Sequence, residues 1–164
     1  MWLAVLFIFF GVFSRLVPHL PNFSPLAAVA LFSGVYLNRK HGYLLPLGIF
    51  ILSDFIIGFH NTVFFTWSSI VLIYFIGSYL STRKSAVNFF IYTLGSALVF
   101  FIITNFGVWL MGWYPRTMAG LGECFINALP FFRASLISNL LFVAVFFSIY
   151  EFSLARQRLI QKSA

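Results

Sequence analysis

The stretch Pro25-Leu26-Ala27-Ala28-Val29-Ala30-Leu31-Phe32-Ser33-Gly34-Val35-Tyr36-Leu37-Asn38-Arg39-Lys40 is an apolar run closed by a basic pair, and that unit recurs along the chain. Arg83-Lys84 closes a later run, and Arg156, Arg158 and Lys162 follow the last one. Six apolar runs are expected to be helical, over about 2–17, 25–38, 43–59, 63–81, 87–112 and 130–152. If they cross a bilayer in alternation, all three basic groups fall on one side. Lys and Arg beside span ends bias those ends toward the cytoplasm. The pattern predicts an all-α membrane protein, a six-transmembrane-helix bundle with the N and C termini cytoplasmic, and a single integral membrane domain over 1–164.

Composition agrees. A chain that is 62% hydrophobic and 8% charged exposes large apolar patches if folded in water, so its solvent is expected to be a lipid bilayer. The formal charge of +7 is carried mostly by the breaks just named, which removes the reason to expect a nucleic-acid partner. Cys124 is the single cysteine, so neither an internal disulfide nor a cysteine-based metal site is expected. The first residues lack a basic leader and a small-residue cleavage site, and 2–17 reads as a retained span.

The second run is too short to cross alone, because a helix rises 1.5 Å per residue against a hydrocarbon core of roughly 30 Å. Non-helical chain is therefore expected at membrane depth, and Pro18, Pro21 and Pro25 place it between Arg15 and Pro25. Irregular backbone survives in a bilayer only where protein buries it or water reaches it. A depression open to the outside is implied. The other outward connections are the turn at 59–62 and a long stretch over 112–129, and they are richer in functional residue types than the inner ones.

No phosphate-binding loop, dinucleotide fingerprint or HExxH motif is present, so the chain is not expected to be an enzyme or to hydrolyse ATP itself. His19, His41 and His60 share no metal-ligand spacing, and no metal or cofactor is expected. Asp54, the only aspartate, sits inside the third run, where a carboxylate needs a partner or water. It is either a ligand contact or a buried packing residue. Asn105 and Trp109 lie four residues apart on one helical face, an amide beside an indole that suits a flat polar ligand. Interhelical amide bonding and an interfacial tryptophan are the plainer alternatives. Ser135, Ser138 and Asn139 form a polar stripe expected to face other helices, and Arg133 either snorkels to headgroups or pairs with Asp54 or an anionic substrate group. Arg116 and Glu123 are candidates for a loop lid or for a solvated ion pair. Ala30 and Gly34 permit close helix approach.

The stretch from Ser14 through Pro18-His19-Leu20-Pro21-Asn22 to Pro25 resembles a bacterial family of candidate membrane transport proteins. The segments Leu52-Ser53-Asp54, Ile103-Thr104-Asn105-Phe106-Gly107-Val108-Trp109 and Trp113-Tyr114-Pro115 fit the same pattern. That family is similar to the substrate-binding S components of energy-coupling factor (ECF) vitamin transporters. The resemblance implies an S-component-like bundle in the bacterial cytoplasmic (inner) membrane, which captures a vitamin or related micronutrient from outside by loop closure. It also implies a transmembrane coupling subunit with cytoplasmic ATPases as partner. S components carry two alanines four apart on the first helix for docking to that subunit, whereas here Ala4 is followed at that distance by Ile8, so a solitary transporter is the alternative.

The sequence thus predicts uptake of a small molecule through an outward pocket framed by His19, Asn22, Asp54, Asn61, Asn105 and Trp109. A structural or assembly subunit of a larger membrane complex is the alternative from another class. An intramembrane enzyme acting on lipid ranks last, since the chain has too few acids.

Overall fold

The computed structural model describes residues 2–16, 22–37 and 40–163. They form six helices and no strand: α1 (Trp2–Leu16), α2 (Leu26–Tyr36), α3 (Leu44–Ile57), α4 (Val63–Leu80), α5 (Ala86–Leu110) and α6 (Met118–Ser163). The all-helical fold follows the sequence expectation. Three of the helices have stretches long and apolar enough to cross a membrane: Val63–Leu80, Ala86–Leu110 and Met118–Gln161 within α6.

Short α2 is the axle of the bundle. Every residue from Ala27 to Val35 is buried, because α2 is enclosed by α1, α3, α4, α5 and α6. Its 11 residues extend only about 16 Å. Its closest neighbour is α4, where Gly34 faces the Tyr74 carbonyl and Gly77 faces the Leu31 carbonyl, each so near that a β-carbon would overlap backbone. The expected small pair of Ala30 and Gly34 thus works at its second member, with Gly77 as the partner across the crossing.

Local chemistry sets the helix ends. Ser85 is extended and accepts a 3.1 Å hydrogen bond from the Asn88 amide, capping α5. Gly58 ends α3 at φ 108°, a conformation that favours glycine. The expected long connection over 112–129 is corrected: α6 already begins at Met118 and runs through Pro130. Thr117 accepts from the Gly120 amide at 3.1 Å, and Gly120 lies against the Pro115 carbonyl, so these turn-forming residues serve a helix start. The expected tail beyond 152 likewise continues α6 to Ser163.

The two ends of the bundle are packed differently. Toward the C-terminal end of α2, Phe32 is fully buried, with ring centroids 5.3 Å from Phe147 and 5.2 Å from Tyr150. Phe89 lies 4.5 Å from Phe147, so α2, α5 and α6 close on one another through aromatic rings. At that end Glu151 accepts from the Tyr36 hydroxyl and pairs with Lys84 at 3.3 Å, with the Lys84 ammonium 4.2 Å from the Tyr36 ring centroid. The opposite end is hollow.

Candidate functional site

Arg15, on the last turn of α1, anchors one wall of the hollow end. Its Nη2 lies 2.5 Å from Asp54 Oδ1 on α3, and its Nη1 donates to Ser53 Oγ at 2.6 Å. Its guanidinium also stands 4.7 Å from the Phe50 ring centroid. Trp67 on α4 donates its indole N–H to Asp54 Oδ2 at 2.7 Å. Both carboxylate oxygens are thereby matched in a residue that is 0% exposed, as a buried charge requires. This knot ties α1, α3 and α4 together behind the cavity wall, and only the Arg15 end of it reaches the cavity.

The cavity consists of adjoining chambers. The inner one, of about 370 Å³, lies between Arg15, the α1–α2 connection, Phe100 to Asn105 on α5 and Phe131 to Ser135 on α6. The second, of about 460 Å³, lies between the α3–α4 turn, the α5–α6 connection and the first turns of α6. His60, Asn105, Val108 and Phe131 face both chambers. A recess of about 50 Å³ continues below the inner chamber, bordered by Asn22, Ser24 and Asn139.

The irregular chain just before α2 is held in place by α6. Asn22 adopts φ 58°, and its carbonyl accepts from Ser135 Oγ at 3.1 Å, while the Ser24 carbonyl accepts from Ser138 Oγ at 2.7 Å. The polar stripe read from the sequence thus fastens non-helical backbone, which supplies acceptors that no helix would leave free. On α5, Thr104 donates to the Phe100 carbonyl and Asn105 to the Phe101 carbonyl, at 2.7 and 2.8 Å. These bonds lie within one helix turn, and both residues line the inner chamber.

The expected site residues are therefore only partly brought together. Asn22 and Asn105 line the inner chamber, and Asn61 and Asn105 the second. Asp54 lines neither chamber and acts on the cavity through Arg15. Trp109 donates its indole N–H to the Pro115 carbonyl at 3.0 Å and packs on Phe106, away from the chambers. Arg116 donates to the Leu110 carbonyl at 3.0 Å, capping the end of α5, and Glu123 is exposed on α6, so neither borders a chamber. His19 lies outside the described residues, as do the side chains of Ala4 and Ile8. Arg15 and His60 are among the lining residues that the sequence did not single out as ligand contacts. Among the described residues no group of acids, histidines and cysteines is arranged to hold a metal.

The residue pattern of a family of unknown function, DUF6580, matches residues 1–162. The chain belongs to DUF6580. Neither a curated protein nor a solved structure matches it. In this DUF6580 member the match covers five helices whole, all but the last residue of α6, and every described residue of the cavity wall.

Proposed function

We propose that this protein takes up a small organic molecule across the bacterial cytoplasmic membrane, crossing the bilayer six times with both termini inside. The cavity is the observation that carries this reading. It lies among the ends of α1, α3 and α5 and the first turns of α2, α4 and α6, opposite the ends bearing Lys40, Arg83, Lys84, Arg156 and Arg158. The basic-side rule then makes the hollow end extracytoplasmic. Chambers of a few hundred Å³ with apolar walls and a few placed polar groups suit a small ligand.

Capture needs no covalent step. Phe100, Phe101 and Phe131 supply apolar contact, while Arg15, Asn22 and Asn105 supply hydrogen bonds. The turn at 58–62 and the connection at 111–117 flank the outer chamber and close over the ligand. The sequence resemblance to S components is what supports a coupling subunit with cytoplasmic ATPases as the source of energy, and the Ala4 and Ile8 pair is what favours a solitary transporter.

The test is native mass spectrometry of the protein extracted in mild detergent from its own cells, with a Thr104→Trp variant that fills the inner chamber. A retained small molecule, lost in the variant while the melting temperature holds, is the expected result. A stoichiometric protein partner with no small molecule in either sample would instead favour an assembly subunit.

A further inference from the structure

Arg15 is the one permanently charged side chain among the described residues lining the cavity, and its charge is already matched. The fully buried Asp54 carboxylate lies 2.5 Å from it, on the side away from the chamber. An anion approaching Arg15 also approaches Asp54, and a cation meets no free carboxylate on the wall. A ligand with net charge would lose its hydration among phenylalanine rings without gaining a counter-charge. An uncharged ligand meets no such penalty, and the remaining N–H groups of Arg15 still donate hydrogen bonds to it.

A second observation lies in the recess. Asn139 is 4% exposed, and neither its Oδ1 nor Ser24 Oγ has a hydrogen-bond partner among the described residues. The two residues border the 50 Å³ space under the inner chamber. A buried amide oxygen without a donor is costly, so the recess is built to receive an N–H or O–H group. Just above it the Phe101 and Phe132 rings stand 4.8 Å apart by centroid, beside Phe100.

Resting on the reading of this cavity as a ligand site, we propose that it selects an uncharged planar aromatic or heteroaromatic molecule whose hydrogen-donating substituent enters the recess at Asn139 and Ser24.

Four probes of one shape separate the contributions: 2-naphthamide, 2-naphthoate, 2-naphthamidine and naphthalene, titrated against the full chain in nanodiscs by isothermal calorimetry. The amide is expected to bind about tenfold more tightly than the anion or the cation. In Asn139→Leu its affinity should fall about tenfold, the factor for one buried hydrogen bond, while naphthalene binds unchanged. Naphthalene binding also certifies that the variant is folded, and Ser24→Ala gives a second, milder variant with the same expected direction. Equal or tighter binding of either charged probe overturns the proposal, as does an unchanged amide affinity in both variants or no binding of any probe. Preference for a charged probe leaves the uptake reading standing with another substrate class. The expected amide preference in a protein that retains no small molecule from cells would sink the uptake reading alone.

Discussion

Asp54 shows how a single residue can be recognised for the right reason and placed one step from its role. An acid inside an apolar run must have a partner, and it has two, Arg15 and Trp67. Asp54→Asn leaves the half-buried Arg15 guanidinium without its counter-charge and is expected to lower stability by about 3–5 kcal/mol. Trp67→Phe keeps the ion pair and removes one hydrogen bond to a charged group, for about 1–3 kcal/mol. Thermal unfolding in detergent should rank the two in that order, and a Trp67→Phe variant less stable than Asp54→Asn would contradict the assignment. The need for a partner is legible in the sequence, but its identity is not. Arg133 was the partner the sequence offered, and Arg15 reads only as the edge of a proline-rich connection. Trp109 fails similarly, since helical spacing puts it beside Asn105 while the Pro115 carbonyl draws its indole elsewhere.

At the scale of elements, hydrophobic runs located the helices to within a few residues, except at both ends of α6, which runs Met118–Ser163 against an expected 130–152. Gly112, Pro115, Gly120 and Gly122 are of residue types common in turns, yet Gly120 lies against the Pro115 carbonyl, where a β-carbon would overlap it. A glycine required by packing is indistinguishable in sequence from one required by a turn. The α2–α4 crossing makes the same point at Gly77, where any side chain strikes the Leu31 carbonyl. Gly77→Val should separate the two helices and destabilise the fold by more than about 3 kcal/mol, the upper end of ordinary overpacking, because backbone atoms cannot yield as side chains do. Gly48, with open space around it, should accept Ala with little change in melting temperature. Equal melting temperatures for the two variants would refute the tight crossing.

For the molecule as a whole, the hollow end was foreshadowed by the irregular chain leading to Pro25, of which residues 22–25 are described and non-helical, whereas the aromatic closure of the other end was not. Phenylalanines facing lipid and those facing one another look alike in the chain, and only the fold sorts Phe32 from the exposed Phe55 and Phe64. Phe32→Ala should cost about 3–5 kcal/mol, while Phe64→Ala should be nearly neutral in the melting temperature. The proposed six-span topology makes its own prediction. In a Cys124→Ala background, cysteines at Asn61 and Thr82 should react with an impermeant maleimide from opposite sides of intact cells and inverted vesicles. Labelling of both from the same side would reverse that topology.

The length of α6 has a mechanical consequence. Its 46 residues make a rod of about 69 Å, fastened near its middle where Ser135 and Ser138 grip the chain that follows α1. From Ser138 to Ser163 the rod carries no proline, so a tilt of about 5° at that fastening sweeps its far tip through about 3 Å. A slight adjustment around whatever occupies the hollow would thus arrive at the opposite face magnified, with Glu151 and its clamp on Tyr36 and Lys84 directly in the path of the swing.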